Sequence, residues 1–156
     1  MIKNNETYLE SFVSTSLEQK LAEELNIPIW WGHPKLDYYK TKSGNRSLFD
    51  NQGTPMSPGV ADICSVSQLK SAIISLWKEN KNLNKLMIKL DDGVSGDGNA
   101  LLRLDKSFKD FSKMNNESQY SYLEEKLKIM EFKASGMTWE KFAIKLKDGG
   151  IVEQFI

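Results

Sequence analysis

The 156-residue sequence is poor in the residues that build disulfide frameworks, metal clusters and catalytic dyads. It contains one cysteine, Cys64, and one histidine, His33. A single cysteine cannot form an internal disulfide and is typical of a reducing cytoplasm, where we expect this chain to reside. With one histidine in the chain, little is available to activate the thiol, so Cys64 is expected to be a small buried apolar residue.

Long apolar runs and an excess of charge of one sign are also missing. No apolar segment approaches the roughly 20 residues of a membrane-spanning helix, and the N-terminus lacks the apolar core of an export signal. Lysine plus arginine equal aspartate plus glutamate at 21 each, so no overall field attracts the chain to nucleic acid or to a membrane. We therefore expect neither as a partner.

Hydrophobic residues make up 40% of the chain and charged residues 27%, which is typical of a folded globular protein. Helical and strand patterns alternate without a regular repeat, which predicts an α+β fold with a small antiparallel sheet and flanking helices. The segment "TPMSPG" contains two prolines and a glycine and marks a connection. We place the domain boundary there, giving an N-terminal helix–strand–helix segment (1–57) and a second part (58–156).

Helix starts are indicated by capping-box spacings. Ser16 with Gln19 and Ser65 with Gln68 have the required separation, each before an apolar stripe. The first stripe, at every fourth position from Leu17 to Leu25, is followed by "PIWWG", which we interpret as a short buried strand. "KTKSGNRSLFDNQG" predicts a turn and a short helix. Near the C-terminus, "ESQYSYLEEKLKIM" and "TWEKFAIKLKDGG" predict two more helices, and "IVEQFI" a last strand.

Two strands, "KLMIKL" and "ALLRL", flank the glycine-rich loop "DDGVSGDGN". A P-loop fails at Asn99, because lysine and Ser/Thr are required from there. A dinucleotide fingerprint fails at Leu101, where the third glycine belongs, and a calcium loop at Leu102, where the bidentate Glu belongs. Two interpretations stay open: a hairpin whose N–H groups form an anion nest, or a solvated hairpin without a ligand.

Lys89 bears on that choice. Along the first strand, Leu86, Ile88 and Leu90 face one way, whereas Met87 and Lys89 face the other. A lysine at the end of a strand that leads into a glycine flap can meet phosphate oxygens, although an ordinary outward lysine explains it equally well.

The ordered segments "KTKSGNRSLFDNQGTPMSPG", "LMIKLDDGVSGDGNALLRL" and "GGIVEQFI" resemble those of an ATP-grasp ligase. More narrowly, they are similar to the peptide-ligase group typified by the pheganomycin-forming enzyme. The similarity runs from about Thr15 to Ile156 and is weakest between Phe108 and Thr138. It implies the lid subdomain of an ATP-grasp unit, together with part of the preceding α/β lobe.

The resemblance also implies roles for individual residues. Lys42 matches the first phosphate-binding lysine, and Lys89 the second, on the lid strand. Glu153 matches the hinge acid that accepts from the adenine amino group, with backbone groups around Gln154 and Ile156 on the rest of the adenine edge. The flap that closes over the triphosphate is matched by Ser95, Gly96, Asp97, Gly98 and Asn99. Arg46, one turn beyond Lys42, could add a phosphate or carboxylate contact, although a surface arginine is the simpler interpretation.

Family members use ATP and Mg²⁺ to convert a carboxylate to an acylphosphate, which an amine of an amino acid or peptide then attacks. The magnesium ligands of the family lie beyond the hinge strand, so we expect them outside this chain. We also expect no metal site within it, weak nucleotide binding or none by the isolated polypeptide, and no turnover. The alternative is a non-catalytic nucleotide-binding or interaction module derived from this fold. The sequence does not identify the catalytic residues of the ligase.

Overall fold

In the computed structural model of the protein, the described residues are 7–12, 14–30, 32–104, 111 and 113–156. The chain divides into two compact units, Met1–Thr41 and Lys42–Ile156. Segment 42–57, which the sequence analysis grouped with the N-terminal part, lies in the second unit. Among the described residues, no helix combines the length and the apolar character that crossing a membrane requires.

The described elements alternate between helices and short strands, and the mixed α+β class is confirmed. The helices are α1 (Ser16–Leu25), α2 (Lys42–Asn51), α3 (Val66–Glu79), α4 (Asn116–Lys128) and α5 (Trp139–Lys145), with 3-10 helices at Pro34–Lys40 and Leu146–Asp148. The strands are β1 (Gly59–Val60), β2 (Lys85–Leu90), β3 (Asn99–Arg103), β4 (Glu131–Phe132) and β5 (Gly150–Gln154).

The strands form one five-stranded sheet in the order β1-β5-β2-β3-β4, with antiparallel neighbours throughout. The predicted small antiparallel sheet is therefore confirmed. In the register, Lys89 on β2 lies opposite Asn99 on β3 and Ile151 on β5, whereas Glu153 lies opposite Met87 and Gly59. Because side chains alternate along a strand, all six of these residues belong to the same face of the sheet.

The other face of the sheet carries the core of the second unit. Leu86, Ile88 and Leu90 are fully buried there, as their alternation predicted, and they pack in one cluster with side chains of α3 and α4. The helix start predicted at Ser65 is confirmed, since the Ser65 hydroxyl accepts from the Gln68 N–H at 3.2 Å. With helices covering one face, the polar side chains Lys89, Asn99 and Glu153 are left on the opposite one.

The N-terminal unit departs from the sequence-based interpretation. Helix α1 begins one residue earlier than predicted, because Thr15 and Glu18 form the capping box. The "PIWWG" segment is not a buried strand: Ile29 forms a single parallel bridge to Leu9, and Trp30 is 69% exposed. Trp31 lies outside the described residues. The wrong prediction has a physical cause, because a short apolar run does not show that another surface covers it.

Cys64 is a second correction, since its side chain is exposed rather than buried. It lies just before Ser65, the N-cap of α3, and the Cys64 N–H donates to the Gln68 side chain at 2.7 Å. Position in a cap, where the chain turns into a helix on the surface, therefore outweighs the usual preference of cysteine for the interior.

Candidate functional site

A cleft of about 610 Å³ opens on the face of the sheet that the core helices leave uncovered. Its lining residues come from six parts of the second unit: α2, the segment before β1, β2, the loop between β2 and β3, β3, and β5. They are Lys42, Asn45, Arg46, Phe49, Thr54, Pro55, Met56, Ser57, Lys89, Gly93, Ser95, Gly96, Asn99, Ile151 and Glu153. Three cationic side chains and one carboxylate are among them, so the cleft favours an anionic ligand.

The start of α2 is tied to the end of β2. The Ser43 N–H donates to Asp91 Oδ1 at 2.8 Å, so a carboxylate satisfies one of the free N–H groups of the first turn. The Asp91 N–H in turn donates to the Gly149 carbonyl at 3.0 Å. This chain of contacts fixes Lys42, the first residue of α2, beside the glycine-rich loop.

The Lys42 ammonium holds that loop directly. Its Nζ donates to the Leu90 carbonyl at 2.7 Å and to the Gly93 carbonyl at 2.9 Å. Burial lowers the pKa of Lys42, the Asp91 carboxylate opposes that shift, and the Lys89 charge adds to it. The influence of Lys89 is expected from two cations that share one cleft.

The glycine-rich loop is folded on itself through short backbone contacts. The Asp97 N–H donates to the Val94 carbonyl at 3.0 Å, and the Asn99 N–H to the Gly96 carbonyl at 2.9 Å. A Cβ on Gly93 would lie 3.0 Å from the backbone of Gly98, so glycine is needed for this close approach. The loop thus packs as a compact flap at the mouth of the cleft.

Asn99, at the end of the flap, has an unsatisfied acceptor. Its Oδ1 is buried and has no hydrogen-bond partner within the part of the chain that the structure describes. A buried carbonyl without a partner costs about 1–3 kcal/mol. Since Asn99 lines the cleft, a ligand with a suitable donor would remove that cost.

Glu153 on β5 is the centre of an ion-pair cluster. Its Oε1 lies 2.5 Å from Lys89 Nζ, and its Oε2 lies 3.3 Å from Arg46 Nη1. Arg46 also donates through Nη2 to the Ser57 carbonyl. The simpler interpretation of Arg46 as a surface arginine is wrong, because only 13% of its side chain is exposed.

The cleft brings together only part of the predicted nucleotide set. Its lining includes Lys42, Lys89, Ser95, Gly96, Asn99 and Glu153, but not Asp97, Gly98, Gln154 or Ile156. The Gln154 side chain belongs to the opposite face, where its Oε1 accepts from Asn80 Nδ2 at 3.4 Å. The Gln154 N–H, expected near an adenine edge, donates to the Pro58 carbonyl at 2.8 Å.

The sequence analysis missed the apolar wall of the cleft. Phe49, Pro55, Met56 and Ile151 line it, and segment 54–57 had been interpreted only as a connection. A usable signal was present, because a segment between Lys42 and the first strand of the sheet must pass close to that lysine. The described residues contain no group of three His, Cys, Asp or Glu side chains that could share a metal ion.

Comparisons with known proteins agree on the fold. The sequence model of a family described as "IQCH-like, ATP-grasp" matches residues 35–135. IQ motif-containing protein H from Danio rerio is 31% identical over 101 residues, which is 64% of this chain and 10% of that protein. The chain therefore spans about a tenth of the length of this curated relative.

Among solved structures, D-alanyl-alanine synthetase A from Vibrio cholerae matches with a TM-score of 0.55 and 10% sequence identity. The match covers 96% of this chain and 37% of that one, and it supports an ATP-grasp-like fold. The narrower resemblance to pheganomycin-type peptide ligases stays a prediction. The family model matches well over half of the length of this chain, and the chain therefore belongs to the IQCH-like ATP-grasp family.

Proposed function

We propose that this chain binds ATP as the lid portion of an ATP-grasp carboxylate–amine ligase that acts on amino acids or peptides. The observation that carries the proposal is the clustering of Lys42, Lys89 and Glu153 around one cleft, next to a glycine flap. These three residues are separated by up to 111 positions in sequence, and they reach the cleft from three different elements. Their meeting supports a common ligand.

The chemistry of the cleft fits a nucleotide. The ammonium groups of Lys42 and Lys89 would bind phosphate oxygens, and the flap from Ser95 to Asn99 would cover them. The apolar wall of Phe49 and Ile151 would take the base, with Glu153 as acceptor for an amino group. ATP supplies the activating phosphoryl group when it is bound, whereas these residues bind and orient it and exclude water.

The described residues provide no group of three His, Cys, Asp or Glu side chains for a Mg²⁺ ion. We propose that the protein ligands for Mg²⁺ lie outside the described residues, as the family resemblance implies.

Lys89→Ala is expected to weaken ATP binding by about 10- to 100-fold, because a charge-assisted contact is worth about 1.5–3 kcal/mol. We would measure it by titrating the ¹⁵N-labelled chain with ATP and following amide chemical shifts, which also reports millimolar affinity. The matched control is Lys85→Ala, a lysine four residues earlier on β2 whose side chain does not line the cleft.

Saturable shifts of the cleft residues that depend on Lys89 and not on Lys85 would support the proposal. No shifts with ATP, or the same affinity for the wild type and Lys89→Ala, would show that the cleft is not a nucleotide site.

The second candidate is a nucleotide-binding or interaction module without catalysis, and the contacts of the hinge strand bear on it. The groups expected to read the base are already engaged, since Glu153 pairs with two cations and the Gln154 N–H with Pro58. ADP formation by the product of the complete gene, measured with panels of amino acids and dipeptides, separates the candidates. Acid- and amine-dependent ADP release supports the ligase, and ATP binding without any release supports the module.

A further inference from the structure

We propose that the Lys89–Glu153 ion pair is an interlock that makes base recognition conditional on phosphate recognition, with Arg46 as the positioning residue that holds Glu153 throughout. The proposal rests on the proposed nucleotide site. It goes further, because it assigns the order in which the cleft's own contacts must be exchanged.

The two oxygens of Glu153 have different partners. Oε1 faces the Lys89 ammonium at 2.5 Å, and Oε2 faces the Arg46 guanidinium at 3.3 Å. The Lys89 side chain is 29% exposed and that of Glu153 is 18% exposed. The carboxylate oxygen that would accept from an amino group of a base is therefore covered by the lysine that would bind phosphate.

Arg46 is held more firmly than Lys89. Its second nitrogen donates to the Ser57 carbonyl, and its guanidinium lies against Gly59, where an added Cβ would come within 2.8 Å of Arg46 Cζ. Gly59 is also the direct cross-strand partner of Glu153, and the same Cβ would lie 2.8 Å from Glu153 Cβ. Arg46, Gly59 and Glu153 thus form one closely packed layer at the edge of the sheet.

The charges decide what a ligand must carry. A neutral base does not readily displace Lys89 from Glu153, because it leaves the partly buried Lys89 ammonium without a counter-charge. A phosphate can, since its oxygens replace the carboxylate as partner of the ammonium. Glu153 then stays paired with Arg46 through Oε2, and Oε1 becomes free to accept from the ligand.

The class of ligand follows from that exchange. It carries phosphate and a hydrogen-bond donor on the same molecule, as an adenine nucleotide does. Adenosine lacks the phosphate, and inorganic tripolyphosphate lacks the donor. The affinity for a free nucleoside should therefore be lower than the loss of the phosphate contacts alone would predict.

The test compares ATP, adenosine and tripolyphosphate on the wild type and on Lys89→Met, using amide chemical-shift titrations. Lys89→Met is expected to lower the affinity for ATP and for tripolyphosphate by at least about tenfold, because a charge-assisted contact is lost. The same substitution is expected to raise the affinity for adenosine by at least about threefold, because Glu153 Oε1 is uncovered. Lys89→Leu, which likewise has no donor, is the second variant in case the methionine perturbs the fold, and Lys85→Met is the matched control.

The interlock predicts that substituting Lys89 changes the affinities for ATP and adenosine in opposite directions. A structural defect would weaken the binding of both. If the wild type binds ATP but adenosine is unchanged, weakened or undetectable with both Lys89 variants, the interlock is wrong while the nucleotide site stands. If the wild type does not bind ATP, the proposed function itself is wrong.

The role of Arg46 has its own test. Arg46→Ala is expected to lower the affinity for ATP about tenfold in the wild-type background. In the Glu153→Gln background the loss should be less than about twofold, because Arg46 acts through the Glu153 carboxylate. Arg46→Lys should restore part of the loss. Equal losses in both backgrounds would instead indicate that Arg46 contacts the ligand directly, and would overturn its positioning role.

Discussion

Gly149→Ala is expected to lower the free energy of unfolding of the second unit by about 3 kcal/mol, from backbone strain and overpacking together. Gly149 has φ 117° and ψ 156°, a region open essentially to glycine alone. A Cβ there would also lie 2.5 Å from Asp91 Oδ2. Urea unfolding followed by tryptophan fluorescence measures the change.

The matched control is Gly136→Ala. Gly136 also has a positive φ, 71°, but an added Cβ would meet nothing within 4 Å, so this variant isolates the backbone strain of about 1 kcal/mol. The difference between the two variants combines the contact with Asp91 and the larger backbone strain at Gly149. Equal losses in the two variants would show that Asp91 moves away without cost.

The consequence of Gly149→Ala reaches the cleft through Asp91. That carboxylate accepts from the Ser43 N–H at the start of α2, so moving it releases the turn that carries Lys42. Asp91→Asn in the Gly149→Ala background should recover little stability, because the amide is as large as the carboxylate. Asp91→Gly removes the contact with Ser43 as well, so the comparison is made within that background, where Gly149→Ala should cost less by the part that is due to overlap.

Three of the five strands of the sheet, β2, β3 and β5, were predicted from short apolar runs, whereas the two-residue strands β1 and β4 are too short to leave such a pattern. Leu86, Ile88 and Leu90 alternate with Met87 and Lys89, and this pattern alone fixes which face the lysine occupies. The N-terminal unit was less predictable. The leucines of α1 repeat with helical spacing, yet Leu17 is 75% exposed, because spacing does not reveal whether another surface covers the stripe.

The cleft was only partly predictable for a related reason. Lys42, Lys89 and Glu153 could be singled out one at a time, but the pair of Arg46 with Glu153 joins residues 107 positions apart. Such a contact depends on how β5 is registered against β1 and β2, which no local pattern encodes. The same register places Gly59 under the guanidinium, and that is why a glycine beside two prolines had no evident role in the sequence.

Lys42→Met is expected to release the flap and to weaken ATP binding together. Two charge-assisted hydrogen bonds, to the Leu90 and Gly93 carbonyls, are lost, and each is worth about 1.5–3 kcal/mol before the cost of burying the ammonium is subtracted. Amide hydrogen exchange of Asp97 and Asn99, whose N–H groups close the flap, should accelerate by about 10- to 100-fold. ATP affinity should fall by a similar factor, because Lys42 also supplies a phosphate contact in the proposed site.

The matched control is Lys78→Met, an exposed lysine in the last turn of α3, for which both quantities should stay unchanged. The two readouts separate the roles of Lys42. Faster exchange with unchanged ATP affinity would show that Lys42 fastens the flap without touching the ligand. Weaker ATP binding with unchanged exchange would show the reverse, that the flap is held by its own turns and Lys42 serves the phosphates alone.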